Sequence, residues 1–292
     1  MKISRRNILI IALLLFGLGV YFGVIPLSIS PPDITQPETT EYVYIQGLVQ
    51  DPLASSAVAS ATVKVVLPDG NIATYTADSN GKFTSTNMFP EGSEVTIQVE
   101  KSGYYTAVYT VEVPEGDWSS RDTADIGVLY LYDISGSNSM SVTDNHGNSI
   151  TGSSAYNKTQ YGEDFTLNVL FTVDEDDAAA VNSYTDIDTG YNYIGPILVV
   201  KVTDVTKVSV EFSYDKVVTI GTDYYYIIYA DPVYNDANDP NDGTVTFQLA
   251  FRALNTGTDL ISIYFYDQVR DIYIDSANFG TALASVTGID IV

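Results

Sequence analysis

Along most of this chain apolar and polar residues alternate one for one, the side-chain period of a strand with one buried face. Residues 42–49 (YVYIQGLV), 61–67 (ATVKVVL), 71–77 (NIATYTA), 82–86 (KFTST), 94–100 (EVTIQVE), 105–113 (YTAVYTVEV) and 125–132 (DIGVLYLY) carry the pattern. Turn clusters separate them: PDG at 68–70, SNG at 79–81, PEG at 90–92 and KSG at 101–103. Short strands at regular spacing between glycine-bearing turns predict a β-sandwich. The pattern resumes at 164–173 (DFTLNVLFTV), 196–202 (PILVVKV), 207–214 (KVSVEFSY), 224–230 (YYYIIYA), 244–254 (TVTFQLAFRAL) and 259–267 (DLISIYFYD), with 270–275 (RDIYID) as an edge strand. Beyond Ile25 the only helix expected is a short one over 174–182 (DEDDAAAVN). Residues 135–156, rich in Ser, Asn and Gly, read as a linker with one short strand near Met140–Val142.

The stretch 76–83 (TADSNGKF) could be a turn, a metal loop or a catalytic loop. It offers one carboxylate and one amide, too few oxygens for calcium, which takes six to eight. Asn80-Gly81 tolerates positive φ, so a hairpin connection is expected, with Phe83 pointing inward.

The order of these pieces also carries a resemblance. Gly47–Asp51 (GLVQD), then ASATVKV, TADSNGKFT, GSEVTIQVEKSGY and DIGVLYL together resemble a carboxypeptidase regulatory-like module of transthyretin-like type. That resemblance implies a seven-stranded sandwich serving as an accessory module, with no catalytic residue. The loop Asp51–Ser60 is longer than the family's usual first turn. In the second half, Phe251–Phe265 (FRALNTGTDLISIYF) with Gly162–Val169 (GEDFTLNV) weakly resembles immunoglobulin-like, cohesin-like and chagasin-like modules, which implies fold only.

The N-terminus reads as an address. Met1–Arg6 is basic, and Ile8–Ile25 is an uncharged apolar run. The run lies at the lower limit for crossing a hydrocarbon core of roughly 30 Å. Bases before it and acids after it place the bulk of the chain outside. An uncleaved anchor is favoured over a signal peptide because no A-x-A-like site follows the run. The string SRRNIL also resembles a twin-arginine export signal. Residues 27–41 carry three prolines and no periodicity, as an extended stalk would.

Charge and composition narrow the chemistry. The chain has 37 acidic and 13 basic residues, net −24. Three of the bases, Lys2, Arg5 and Arg6, precede the apolar run, so the remainder stands at −27. Such a body repels nucleic acid and anionic headgroups. Cysteine is absent, which removes disulfides and thiolate chemistry together. A single histidine, His146, sits in a turn-like string and cannot build a multi-histidine zinc site. Asp188-Thr189-Gly190 repeats the tripeptide of aspartic proteases, which need two such loops, and no second one exists.

The best site candidate is 231–243 (DPVYNDANDPNDG), where Asp231, Asn235, Asp236, Asn238, Asp239, Asn241 and Asp242 offer the oxygen ligands calcium takes. A solvated turn is the plainer reading, and the spacing is not that of an EF-hand. Asp174–Asp177 with Asp186 and Asp188 form a second acidic group, read as a solvated loop. Asn157-Lys-Thr159 is a possible glycan acceptor. The 23 tyrosines suit either cross-strand packing or contact with glycans and proteins.

The expectation is an all-β chain of two β-sandwich domains, transthyretin-like then immunoglobulin-like, behind an N-terminal transmembrane helix. It divides into anchor or signal (1–26), proline-rich stalk (27–41), first sandwich (42–133), linker (134–156) and second sandwich (157–292). The function expected is non-enzymatic: a membrane-anchored structural or adhesion protein of a cell or virion surface. Its partners would be the membrane, a surface protein or glycan, or copies of itself, and not nucleic acid. Calcium is the one cofactor considered. The rival readings are a filament subunit assembling by strand addition and a carboxylate-only glycoside hydrolase.

Overall fold

A computed structural model describes residues 41–116, 122–134, 137–152, 154–236, 238–239 and 243–292. The expected anchor and the stalk up to residue 40 lie outside the described residues. Among the described residues no helix is long and apolar enough to cross a membrane.

Among the described residues the first module is built from β1 (Tyr42–Asp51), β2 (Thr62–Val66), β3 (Ile72–Thr76), β4 (Lys82–Pro90), β5 (Glu94–Glu100), β6 (Ala107–Glu112) and β7 (Thr123–Tyr130), with a further two-residue strand at Ser56–Ala57. One sheet places β1 between β4, antiparallel, and β7, parallel. The other runs β3-β2-β5-β6, antiparallel throughout. Alternation decides the core. Val43, Ile45 and Val49 of β1 face Val63 and Val65 of β2 and Val95, Ile97 and Val99 of β5, all buried. The long first loop closes on itself: Asp51 Oδ1 accepts the Leu53 and Ala54 N–H groups, and Ser56–Ala57 pairs back onto the end of β1.

Residues 77–82 are not a hairpin. β3 lies in one sheet and β4 in the other, so the turn carries the chain across the sandwich. Asp78 Oδ1 accepts the N–H groups of Asn80 and Lys82, at 2.7 and 2.9 Å. Gly81 takes φ +75°, and a Cβ there would lie 2.4 Å from the Val49 carbonyl. Phe83 does point inward and is buried. A two-residue turn signal reads the bend correctly but cannot tell whether the next strand returns to the same sheet.

The second module contains β8 (Asn138–Asp144), β9 (Asp164–Val173), β10 (Asn192–Ile194), β11 (Ile197–Val202), β12 (Val208–Val210), β13 (Lys216–Ile220), β14 (Asp223–Tyr229), β15 (Thr244–Ala253), β16 (Gly257–Tyr266) and β17 (Ala284–Ile291). Two sheets, β8-β9-β15-β12 and β17-β16-β11-β14-β13, face each other. Phe165, Leu167, Val169 and Phe171 of β9 fill the space between them, with Phe171 stacked on Phe265 at 4.0 Å and Phe165 on Tyr156 at 4.2 Å. Strand β11 is buried on both faces, because Ile197 and Val199 pack outward under Tyr266, Val269 and Phe279. That second layer includes α1 (Asp271–Ile274), which replaces the edge strand expected there.

Two other expectations change. The segment read as a linker holds β8, which pairs along Asn138–Asp144 with β9 and belongs to the second core through Val142. Residues 174–182 form no helix, and Ala178–Ala179 instead pairs with Val233–Tyr234. Both segments lack a clear apolar period of their own, and their conformation comes from the strands they meet.

Candidate functional site at the module junction

The outer face of β2 and β5 carries Lys64, Gln98 and Glu100, polar residues that alternation would leave in water. Gln98 is nonetheless fully buried, because the turn 186–191 of the second module lies on it. Its Nε2 donates to Asp186 Oδ2 at 3.0 Å, and its Oε1 accepts the Ile187 N–H at 2.9 Å. Lys64 pairs with Glu100 at 2.7 Å and with Asp188 across the junction.

The turn itself is shaped by Asp186. One carboxyl oxygen accepts the N–H groups of Asp188 and Thr189 and the Thr189 hydroxyl, and the Gly190 N–H reaches the Asp186 carbonyl. Burial pushes the Asp186 carboxyl up, but the hydrogen bonds from Thr189 and Gln98 outweigh it and hold it below the usual range. The Asp188-Thr189-Gly190 tripeptide is therefore part of a docking turn.

A second contact lies nearby. Tyr105 is buried with Ala178, Ala180 and Val181, and Tyr132 packs on Tyr234 with ring centres 4.6 Å apart. Ile134 forms a parallel bridge with Ala178. Asp133 sits among these groups with one oxygen buried and unpartnered. Its carboxyl is pushed up to about 6, first by burial and then by the charges of Asp177, Asp51 and Asp176. Asp267 is also raised, by burial.

Between the modules lies a cleft of about 610 Å³, lined by Thr96 and Val108 on one side and Tyr184, Ile187, Asn192 and Tyr193 on the other. Tyr184 and Tyr193 stack at 4.8 Å with nearly parallel rings. Burial pushes the Tyr184 hydroxyl up to about 12. These residues escaped the sequence reading because their three short strands carry no strong pattern. The clustering of Tyr184, Tyr191 and Tyr193 was the available signal.

The predicted metal loop is adjacent in space to the second acidic group, since the Asn235 N–H donates to the Asp177 carbonyl at 2.9 Å. Asn235 spends its side-chain amide on the Val173 carbonyl, 2.8 Å away, beneath Gly243. Asp236 Oδ1 accepts both the N–H and the side-chain amide of Asn238, and the backbone bond leads in holding Asp236 below its usual range. Asp231, Asn238 and Asp239 are exposed. Asn241 and Asp242 lie outside the described residues. Among the described residues no group of three or more acidic or histidine side chains has the spacing to hold a metal ion.

Asn157 caps a four-residue helix at Lys158–Tyr161, and its Oδ1 accepts the Gln160 N–H. His146 stacks on Tyr161 at 4.3 Å, in a turn closed by Asp144 through the N–H groups of His146 and Asn148.

Residues 44–125 match the carboxypeptidase regulatory-like domain. The match covers β1 to the start of β7 and leaves the second module outside it. No curated protein matches the chain in sequence. In fold, the chain is similar to the major pilin subunit of Bacillus cereus, at 9% identity and TM-score 0.31 over 86% of this chain and 69% of that one. It is likewise similar to the full-length major pilin of Corynebacterium diphtheriae, at 8% identity and TM-score 0.29 over 87% and 66%. Chlorocatechol 1,2-dioxygenase from Pseudomonas putida is similar over 32% of this chain and 62% of its own, at 13% identity and TM-score 0.27. Likeness this distant decides neither function nor partner.

Proposed function

We propose that this chain is a non-enzymatic structural protein displayed outside a membrane, with its carboxypeptidase regulatory-like module docked against the second sandwich. The observation that carries the reading is the buried Gln98, bonded through both ends of its amide to the 186–187 backbone and side chain of the other module. A buried amide satisfied at both ends by the opposite module resists relative motion there, which suits a spacer or contact element. The use of acids supports it: Asp78, Asp144, Asp186, Asp204 and Asp236 close turns by accepting N–H groups. The basic start and apolar run of residues 1–25 supply the membrane attachment. Protease treatment of intact cells tests this. Loss of the 41–292 body with retention of a short membrane-bound stub is expected, and a body protected until lysis would overturn it.

Calcium at 231–243 belongs to the same reading, supported by the oxygen-rich composition of the loop. Light scattering in millimolar calcium and then in chelator checks it. A calcium-dependent change in size or melting that Asp236→Ala abolishes is expected, and identical behaviour in both conditions would remove calcium.

A filament subunit is the second reading, favoured by open edges. Among the described residues β3 and β13 each pair on one side only, and β13 exposes Val217 and Ile220. An unpaired edge accepts an added strand through its free backbone groups. Filaments that persist after a lysine replaces Val217, and after a proline replaces Thr74, would sink it.

A further inference from the structure

We propose that β13 is a dimerisation edge: a second copy of this chain adds its own β13 antiparallel to it, about a two-fold axis through Val218. The open edge follows from register. A two-residue turn, Gly221-Thr222, joins β13 to β14 and makes Ile220 and Asp223 a hydrogen-bonded pair. Bonded and non-bonded pairs alternate along an antiparallel ladder, so Val218–Tyr225 and Lys216–Ile227 are bonded pairs too. The backbone groups of Val217 and Thr219 therefore point away from the sheet, and among the described residues no strand pairs with them. The open stretch ends there, because the Asp215 N–H donates back to the Ile227 carbonyl at 2.9 Å and the turn begins at Gly221.

That spacing is self-complementary. Setting Val218 opposite Val218 of the other copy brings Val217 opposite Thr219, and Thr219 opposite Val217. Each such pair exchanges both of its backbone hydrogen bonds, so every free group of the edge is satisfied. A slip of two residues either way would instead set one of them against Asp215 or Gly221, which lie outside β13. The side chains agree with the pairing. Val217 is 42% and Ile220 45% exposed. Val217 shares the face of Tyr226, while Val218 and Ile220 lie on the opposite face. In the paired sheet Val217 covers Thr219, and Ile220 covers the aliphatic stem of Lys216.

Charge selects where two copies can meet. Bodies with 37 acids and 13 bases repel one another across most of their surfaces. Strand β13 carries no acid, and its one charge, Lys216, is paired with Asp275 of its own chain. The two-fold register sets no acid opposite an acid. The open edge of β3 is also free of acids, but it exposes a single large hydrophobic, Ile72, and its Tyr75 hydroxyl donates to Asn87 within the same module. An open edge of β-branched residues is one that natural sheets blunt, cover or pair.

This inference goes beyond the structural reading and stands without it. It competes with strand addition by a different segment, because two-fold pairing closes at two copies. Cysteine crosslinking of the purified full chain tests it, and since the chain has no cysteine of its own, any disulfide formed by a single introduced one joins two copies. Non-bonded partners in an antiparallel pair stand roughly 4.5 Å apart at Cα, within the span of a disulfide. Under mild oxidation Val218→Cys should form a linked dimer about tenfold faster than Val217→Cys or Thr74→Cys, whose like positions do not face each other. A mixture of Val217→Cys and Thr219→Cys chains should crosslink between the two variants faster than within either. Both of those positions are exposed, so the mixture keeps the test open should Val218→Cys misfold. Equal rates at 217, 218 and 74, or no dimer from any variant or mixture, would overturn the proposal. Filaments that form without a crosslink at 218 would sink it and leave strand addition standing.

Discussion

Gln98 and Asp186 meet side chain to side chain across the junction, at 3.0 Å, although 88 residues separate them in sequence. The contact turns an outward-facing position on β5 into a buried one. It also explains why an uncharged amide stands there between Lys64 and Glu100: an amide can donate to a carboxylate and accept from a backbone N–H at once.

Replacing Gln98 with Leu would leave the Ile187 N–H and one Asp186 oxygen without partners in a buried place. Destabilisation of about 1–3 kcal/mol is expected, the desolvation cost of unpaired polar groups. Urea denaturation measures it. Gln98→Glu should be worse at neutral pH than at pH 4, because it sets a second carboxylate against Asp186.

Asp133 gives the junction a pH dependence of opposite sign to that of the turn-closing acids. Its folded value, about 6, lies above the ordinary 3.8, so the folded form prefers the protonated acid. Its contribution is fully present below pH 4 and is lost as pH rises towards 6. Asp133→Asn should remove that loss. The variant should melt higher than the parent at pH 7, with the gap closing near pH 4, in paired thermal scans.

Acids held below their usual range, such as Asp78 and Asp236, act the other way. Their stabilisation is present above pH 4 and disappears as pH falls through their folded values. Asp78→Asn should flatten the acid limb of the melting profile between pH 2 and 4, and an unchanged limb would show that the turn does not depend on charge.

Gly81→Ala should destabilise by more than about 2 kcal/mol, since it adds left-handed strain and a clash with backbone rather than with a mobile side chain. Gly70→Ala is the control: its φ is also positive, but a Cβ there meets nothing within 4 Å, so the cost should be smaller. Chemical denaturation of the two variants side by side checks the difference.

The register of β9 can be tested with neighbours. Phe171 is fully buried against Phe265, whereas Leu170, one residue earlier, is 38% exposed. Phe171→Ala should cost about 3–5 kcal/mol. Leu170→Ala should stay within about 0.5 kcal/mol. Similar losses at both positions would mean that β9 faces the other way.

Local alternation was enough to find the strands of the first sandwich and the long central ones of the second, because side-chain period follows from backbone pleating alone; β10, β13 and β17 went unread. Val43, Ile45 and Val49 announce their face in any context. The resemblance over the first module rested on that same order of strands and turns, and the match to residues 44–125 agrees with it. Alternation says nothing about what covers the second face of a sheet. Gln98 therefore looked solvent-exposed, β11 gave no sign of its outer layer, and α1 read as a strand, because Asp271–Ile274 is too short to show a helical period.

What the sequence by itself determined is the class of the fold, the inward sets of its strands and the acidic turns that join them, all of which depend on neighbours a few residues away. Only the tertiary structure decided that Asp78–Gly81 passes between sheets, that Asn138–Asp144 belongs to the second core, and that Tyr184, Tyr193 and Arg270 share one row beside the first module. Those strand pairings join residues from 9 positions apart, Tyr184 and Tyr193, to 77 apart, Tyr193 and Arg270, and their free energy comes from burial and hydrogen bonds that exist only once both partners are folded.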